Sequence, residues 1–456
     1  MDVKSESVNS ELDQTDAICN PHITLTDIPT EIIQKILSFS SLTIQDVCMV
    51  SCSCKKLNIC CLQYSNNLWK SKVVQRWPGL LLSTSKQTEN KVNWKEICKS
   101  CVKTGHLVRY YLNNLDVDYA VEEISSENFN PFICLIEEND ISGGIVVNEL
   151  LSIVHDGQRH KNLTIKYYAV KVLRHIQQLH LSKRWKTFLE LPASQQSLET
   201  GACLISRWCQ PTEIVTDQNI SNQLDNIVRL VKQELKERNQ DHPAISYTSP
   251  DSENTSGLSE SLWSPEQCRL VLECINFVMF DKLQFKGNKS EYYDPQNSYI
   301  DKVLERKKGI PITLSIIYCC LARRLGILCE LVNFPSHFLL RWQEHPLAVS
   351  SVERYTYIDA FHGGQLYTQE ECCPALGIPK SIGHDISLFN SIENVKVFER
   401  IARNLVGIGR HQNQMGDGLL CLRNALELSL LIYPDDLEMR LVQVRINLQM
   451  NINLPK

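Results

Sequence analysis

The longest apolar stretch of the chain runs from Ile312 to Leu325, where hydrophobic residues occupy nearly every face of a helix. A proline at its start, Pro311, and a glycine after its end, Gly326, are typical helix boundaries. A helix that is apolar on all sides must be buried on all sides. The stretch therefore predicts the central core helix of a domain.

Shorter segments on both sides of this helix complete a mixed domain, predicted over residues 197–392. An amphipathic segment precedes the helix, and short apolar runs typical of strands follow it. Within the domain, residues 238–261 are polar and rich in Ser, Asn, Asp and Pro, which predicts an exposed, mobile loop without a packed core. The amphipathic segment is Ser298–Lys308, the predicted strands are Leu328–Val332, His337–Trp342 and Tyr355–Ile358, and earlier helices are predicted at Thr200–Cys209 and Gln218–Lys236.

The rest of the chain has mostly helical spacing, so the predicted fold class is mainly α with a small α+β part. Residues 1–22 are polar without periodicity and predict a flexible tail. Residues 23–75 predict short helices that form one module, and residues 76–196 predict a helical connecting region. Outside the mixed domain, helices are predicted from about Thr30 to Phe39 and at Ile44–Cys61, Trp94–Leu112, Ile165–Phe188, Val397–Gln412 and Leu419–Ile432, with a further one starting at Leu437.

Composition limits the classes of function. The chain has 456 residues, a net charge of -5 and 43% hydrophobic residues, which is ordinary for a globular protein and gives no electrostatic case for nucleic acid. No apolar run is long enough to span a bilayer, and the amino terminus lacks a signal-peptide pattern. We therefore expect the protein to work in the cytosol or nucleus.

The 19 cysteines are scattered and several lie on apolar helical faces, which indicates reduced core thiols. Cys98 and Cys101 form one CxxC pair, but no second ligand pair follows at zinc-site spacing. No glycine-rich phosphate loop or dinucleotide fingerprint is present. We therefore predict neither a metal site nor a cofactor.

Four segments of the sequence resemble the SirB-like branch of the transglutaminase-like superfamily: FKGNKSEYYDPQNSYIDKVLERKKGIPITLSIIY, ARRLGI, PSHFLLRW and YIDAFHGG. That resemblance implies a triad of a Cys at the start of the central helix, a His on the next strands and an Asp further on. His337 and Asp359 match the last two positions, and Pro311 stands at the position of the nucleophile. A proline supplies no nucleophile, so the resemblance implies a triad that has lost its catalytic residue.

Two interpretations of this site stay open. Cys319 and Cys320 lie about 12 Å further along the helix, and we expect them to be inert core thiols. The His337–Asp359 pair is then a retained structural hydrogen bond, or part of a cleft that binds substrate without cutting it. The candidate substrate cleft comprises Tyr292, Tyr293, Pro311, His337 and Asp359.

Residues 24–69 resemble an F-box, with a Pro-x-Glu-Ile-Ile start, a Cys54-Lys55-Lys56-Leu57 middle and a closing Leu68-Trp69. F-boxes dock on a Skp-type adaptor of a cullin ubiquitin ligase, so the resemblance implies that partner. A module this short buries only a small core, which favours exposed apolar surface that seeks a partner. The expected adaptor-binding residues are Leu25, Ile28, Pro29, Ile32, Ile33, Ile36, Leu37, Val47, Leu57, Leu68 and Trp69.

Residues 393–456 resemble a tetratricopeptide-like helix pair, and because fewer than three repeats are present we expect them to pack on the preceding domain. Families with this order of parts usually continue into a domain that resembles hemimethylated-DNA-binding modules. That domain is absent from this sequence, which is either a short isoform or an incomplete chain, so we expect no nucleic-acid partner for the residues given.

Two classes of function follow. The first is a non-catalytic, substrate-recognition subunit of a ubiquitin ligase, which captures a protein substrate. The alternative is an enzyme with residual hydrolase or acyl-transfer activity at the transglutaminase-like site.

Overall fold

A computed structural model describes residues 25–62, 65–77, 93–115, 126–138, 142–155, 162–248, 258–379, 385–414 and 418–450. The predicted fold class, mainly α with a small α+β part, is confirmed. The helices are α1 Thr30–Leu37, α2 Ile44–Ser53, α3 Lys55–Leu62, α4 Asn66–Arg76, α5 Trp94–Asn113, α6 Ser126–Glu137, α7 Ser142–His155, α8 Leu163–Glu190, α9 Leu198–Cys209, α10 Asp217–Arg238, α11 Pro265–Asn276, α12 Ile300–Arg306, α13 Pro311–Arg324, α14 Ser351–Arg354, α15 Gln369–Ala375, α16 Asn394–Gln414, α17 Leu419–Ile432 and α18 Leu437–Gln449. The strands are β1 Lys286–Gly287, β2 Lys308–Gly309, β3 Cys329–Val332, β4 Leu339–Gln343, β5 Tyr355–Asp359 and β6 Gln365–Tyr367. No described helix combines the length and the apolar character that a membrane span requires.

The chain divides into two compact units, Met1–Asn113 with Pro131–Glu149, and Asn114–Asn130 with Leu150–Lys456. In the first unit, helices α1 to α4 bury a small apolar core with the start of α5. Lys72 on α4 is almost fully buried, and its ammonium group donates to the carbonyl oxygens of Phe39 and Leu42, at 2.6 and 2.7 Å. These bonds fix the loop between α1 and α2 against α4.

A buried carboxylate ties later helices into this same unit. Glu149 on α7 accepts hydrogen bonds from Arg76, Trp77 and Arg109, with the closest Arg109 nitrogen at 2.9 Å. A buried charge is tolerated only when it is paired and hydrogen-bonded, as this one is. The described residues within 76–113 and 131–149 therefore belong to the first unit, whereas the sequence predicted one connecting region over residues 76–196.

The second unit is built around the predicted central helix. All twelve residues from Pro311 to Ala322 on α13 are buried, as the all-round apolar pattern requires. Strands β3 to β6 form an antiparallel sheet in the order β3-β4-β5-β6 beside α13. A short parallel pair, β1 with β2, leads directly into the start of α13.

Both ends of this unit share the core of the central helix. Leu181, Trp185 and Phe188 on α8 and Phe398 on α16 lie in the same hydrophobic cluster as α13. The second half of the predicted connecting region is therefore part of the second unit. The apolar faces of α16, α17 and α18 lie in this cluster too, so the carboxy-terminal helices pack on the domain that precedes them.

Three local predictions were wrong. The single helix predicted over Ile44–Cys61 breaks at Cys54, because the hydroxyl groups of Ser51 and Ser53 bond backwards to carbonyl oxygens and Cys54 is extended. The predicted exposed loop 238–261 is wrong only in part: residues 238–241 are exposed, but His242 and Ala244, at the turn Pro243–Ile245, are buried; residues 249–257 lie outside the described part. His337 lies in a turn before β4 and not inside a strand.

Candidate functional site

The sheet brings His337 and Asp359 together. Strands β4 and β5 are antiparallel, with Leu340 opposite Ile358, so the residues just before β4 lie beside the end of β5. His337 precedes β4 and Asp359 ends β5. The His337 Nε2 atom lies 3.0 Å from Asp359 Oδ2, which is hydrogen-bond distance. Two residues 22 positions apart thus form the pair that the sequence predicted.

The side chain of Asp359 is completely buried, and its carboxylate accepts four hydrogen bonds. Its Oδ1 atom accepts from the backbone N–H groups of Phe361 and His362, at 2.9 and 3.2 Å. Its Oδ2 atom contacts His337 and also His362 Nδ1, at 2.8 Å. Burial alone would raise the pKa of Asp359, but the hydrogen bonds and charges of the two histidines outweigh burial and hold the pKa below its ordinary value.

His362 is a member of this cluster that the sequence reasoning missed. It lies in the turn Ala360–His362 directly after β5, and the Asp359 side chain caps that turn. A Cβ atom on Gly287 would lie 2.5 Å from the Phe361 ring, so only glycine lets β1 approach the turn this closely. An Asp three residues before a His, at the end of a strand, was the available signal.

The start of α13 carries a proline at the position that the resemblance assigns to the nucleophile. Pro311 is the first residue of α13 and is buried. The Thr313 and Ser315 hydroxyl groups are buried without hydrogen-bond partners, so neither is paired with a base. Serine and threonine become nucleophiles only when such a base removes their proton. The helix therefore begins without an activated side chain.

The thiols further along α13 are poor candidates as well. Burial raises the pKa of both the Cys319 and Cys320 thiols, and Cys319 donates to the backbone carbonyl of Cys329 at 3.1 Å. Burial likewise raises the pKa of Cys98 and Cys101 to about 12. A thiol must ionise to attack or to bind a metal, so none of these four is poised to react.

Native-state alkylation tests the inertness of the helix thiols. With iodoacetamide at pH 8, we expect Cys319 and Cys320 to stay unmodified while the exposed thiols of Cys52 and Cys54 react. Mass spectrometry of the digested protein, with a sample unfolded in denaturant as the control, reads out each site. Native labelling of Cys319 or Cys320 that depends on His337 would contradict this interpretation.

A separate cleft of about 500 Å³ lies against α16. Tyr292 and Tyr293 form one wall, and the Tyr293 ring stacks on His411 with centroids 5.0 Å apart. Burial raises the pKa of Tyr292. Arg403 also lines the cleft and pairs with Glu399 and Asp436, at 3.1 and 2.9 Å. The lining residues are Tyr292, Tyr293, Ile310, Arg403, Asn404, Gly407, Ile408, Arg410 and His411.

The predicted substrate cleft is therefore two sites and not one. Tyr292 and Tyr293 line the cleft, with Ile310 in place of its neighbour Pro311. His337 and Asp359 do not line it and instead form a cluster with His362. The side chains on α16 were missed because they lie more than 100 positions after the tyrosines, and no local pattern reports such a contact.

The predicted adaptor-binding residues fall into two groups, one with exposed or half-buried side chains and one with buried side chains. Ile32 is 48% exposed, but Ile33 beside it is 1% exposed. Ile28 and Ile36 are half-buried, and Leu25 and Pro29 are exposed. Because a core residue cannot contact a partner, the remaining predictions need correction. Ile33, Leu37, Val47, Leu57, Leu68 and Trp69 form the core of the first unit, and within residues 25–62 four further large apolar side chains are exposed: Phe39, Met49, Ile59 and Leu62.

Comparison with known proteins defines the class of protein. Residues 25–75 match the F-box-like family, and residues 218–403 match the transglutaminase-like superfamily. The chain therefore contains an F-box-like region followed by a transglutaminase-like region.

The particular relatives come from animals and bacteria. Over 94% of its length the chain is 34% identical to F-box only protein 21 of Homo sapiens, and equally to that of Mus musculus. It spans 65% of the length of each of these two relatives. A UPF0162 protein of Xylella fastidiosa is 35% identical over 37% of this chain and 57% of its own. No solved structure shows significant similarity to the chain.

Proposed function

We propose that this chain is the substrate-recognition subunit of a ubiquitin ligase of the SCF type, in which an F-box docks on a Skp-type adaptor and, through it, on a cullin. One observation carries the proposal: the F-box-like residues fold as a small helical unit whose surface carries exposed apolar side chains. Apolar side chains on a folded surface favour association with a partner protein. We expect this ligase subunit to act in the cytosol or the nucleus.

The adaptor surface comprises the exposed apolar residues and not the F-box core. Ile32 is on α1, Phe39 is in the loop that Lys72 fixes, Met49 is on α2 and Ile59 is on α3. The Lys72 hydrogen bonds hold the backbone that carries Phe39 before any partner arrives. Such preorganisation favours binding because less conformational entropy is lost on association.

The cleft beside α16 is the proposed substrate site. It offers two tyrosines, an imidazole and arginine side chains within one concave surface. Tyrosine and arginine are enriched at the energetically important centres of protein interfaces, because they combine large contact area with directed hydrogen bonds. A peptide segment of the substrate fits this mixture of aromatic and cationic groups.

We propose that the transglutaminase-like domain recognises substrate without cutting it. Pro311 removes the nucleophile, and the thiols of Cys319 and Cys320 are buried with raised pKa values. One observation favours the alternative, a hydrolase or acyl transferase: the His337–Asp359 hydrogen bond is intact. The alkylation experiment above tests the cysteine-dependent form of this alternative, which needs a reactive thiol.

Replacing Tyr293 with Ala tests the substrate site. The change removes the ring that stacks on His411, and we expect the recovery of bound substrates to fall about tenfold. A tenfold change corresponds to about 1.4 kcal/mol, and tyrosines are enriched among the interface residues whose truncation costs this much. Covalent crosslinking of the full chain in cells, followed by quantitative mass spectrometry, measures this recovery. The recovery of the Skp-type adaptor in the same samples should not change.

Tyr110→Ala is the matched control, because Tyr110 is equally exposed but lies on α5 and outside the cleft. If Tyr293→Ala and Tyr110→Ala recover the same partners in the same amounts as the unmodified chain, the cleft is not the substrate site.

A further inference from the structure

Three side chains of metal-binding type converge after β5. Among the residues that the structure describes, His337, Asp359 and His362 form a group whose nitrogen and oxygen atoms all lie within 4.8 Å of one another. Asp359 Oδ2 is 3.0 Å from His337 Nε2 and 2.8 Å from His362 Nδ1. The two imidazole rings are tilted by only 22° to each other.

The two nitrogen–oxygen separations match those between ligands that share one metal ion, and the two ring nitrogens lie within 4.8 Å of each other. Zinc binds histidine nitrogen and carboxylate oxygen at about 2.0–2.2 Å, and neighbouring ligand atoms at tetrahedral or octahedral angles are then about 2.8–3.5 Å apart. Both nitrogen–oxygen distances in the cluster fall in that interval. A small shift of the side chains would admit an ion between the three atoms.

The surroundings of the cluster orient its carboxylate as a metal ligand requires. Asp359 Oδ1 accepts two backbone hydrogen bonds, from Phe361 and His362, which leave Oδ2 directed at the two imidazoles. Ligating carboxylates in metal proteins are held by such secondary hydrogen bonds. The turn that supplies these N–H groups is itself fixed by the close packing of Phe361 on Gly287.

Access to the cluster is from one side. The side chain of Asp359 is 0% exposed and that of His337 10%, whereas that of His362 is 34% exposed. A metal bound here would have three protein ligands and an open position towards solvent, which is the arrangement of a reactive or ligand-accepting zinc site and not of a closed structural one.

We propose that His337, Asp359 and His362 bind one divalent transition-metal ion. Two imidazoles with one carboxylate suit zinc, whereas calcium and magnesium prefer oxygen ligands throughout. The open fourth position accepts water or a carboxylate or carbonyl oxygen of a bound peptide. The site is distinct from the tyrosine-lined cleft and does not require that the protein act in a ubiquitin ligase.

Metal titration of the full chain tests this proposal. The protein is first stripped with a chelator, and Zn²⁺ is then added in competition with a chromophoric chelator. We expect one equivalent to bind at this site, and His362→Gln and Asp359→Asn each to weaken binding by more than about tenfold. His345→Ala is the matched control, because His345 is an exposed histidine of the same domain outside the cluster.

Cobalt substitution separates this site from the many cysteines. Co²⁺ bound by two imidazoles and a carboxylate shows visible ligand-field bands without the intense near-ultraviolet absorption of a cobalt–thiolate bond. We expect that spectrum in the unmodified chain and its loss in His362→Gln. Since Asp359 is buried, Asp359→Asn can unfold the domain; the partly exposed His362 makes His362→Gln the decisive variant, with circular dichroism as the fold control.

The proposal is overturned by any of three results. The stripped chain binds no Zn²⁺ or Co²⁺ at equimolar concentrations in the micromolar range, or binding persists undiminished in a folded His362→Gln protein, or the bound cobalt shows the thiolate spectrum.

Discussion

Replacing Ile32 with Glu is expected to weaken binding of the Skp-type adaptor by a hundredfold or more. Ile32 is an exposed apolar side chain on α1, and in the proposed complex it becomes buried against the adaptor. Burying an unpaired carboxylate there costs several kcal/mol, and each 1.4 kcal/mol is a factor of about ten in affinity. Calorimetry with the purified adaptor measures the change.

The substitution should leave the fold intact, since charged substitutions at exposed helix positions change stability by about 0.5 kcal/mol or less. Leu163→Glu is the control, because it makes the same kind of change at an exposed position on α8, outside the F-box. Unchanged adaptor affinity in a folded Ile32→Glu protein would remove α1 from the proposed interface.

Replacing Leu314 with Ala is expected to lower the free energy of unfolding of the second unit by about 2–5 kcal/mol. Leu314 lies on the central helix with 0% exposure, so its truncation removes buried apolar surface and leaves a cavity. Chemical denaturation followed by tryptophan fluorescence measures the loss.

Leu347→Ala is the matched control, because it is the same chemical change in the same domain at a residue that is 95% exposed. We expect it to shift the denaturation midpoint hardly at all. Equal effects of the two substitutions would mean that α13 is not the core of this unit.

The parts of the fold that the sequence predicted are those with strong local periodicity. Helix α13 was predicted to within a residue at each end, and α17 was predicted with its observed bounds, Leu419–Ile432. Burial on all sides and clear end signals determine such helices locally. Where side chains compete for backbone hydrogen bonds, as at Ser51 and Ser53, periodicity alone missed the break at Cys54.

Only those residues of the candidate site that lie in the family-like sequence segments were predicted. His337 and Asp359 lie in sequence segments that resemble the transglutaminase-like superfamily, so their pairing was predictable. His362 was missed although it lies in the same segment as Asp359, because the triad that the resemblance implies has no position for it. The contact of Tyr293 with His411 joins residues that are 118 positions apart, and one-dimensional patterns do not encode such contacts.

In the F-box-like region, local sequence patterns also failed to predict which apolar side chains are exposed. Helical spacing identified apolar residues such as Ile32 and Ile33 together, but it did not say which of the two would be buried. Packing of α1 against α3 and α4 directs Ile33 inwards and leaves Ile32 exposed. The division between core and partner surface is a tertiary property.

The central claim, that this chain is an adaptor-docked recognition subunit, is tested most directly by mixing the purified chain with a purified Skp-type adaptor. Size-exclusion chromatography with light scattering should show a one-to-one complex. The complex should be absent when residues 25–75 are removed. A chain that stays monomeric beside the adaptor at micromolar concentrations would contradict the account.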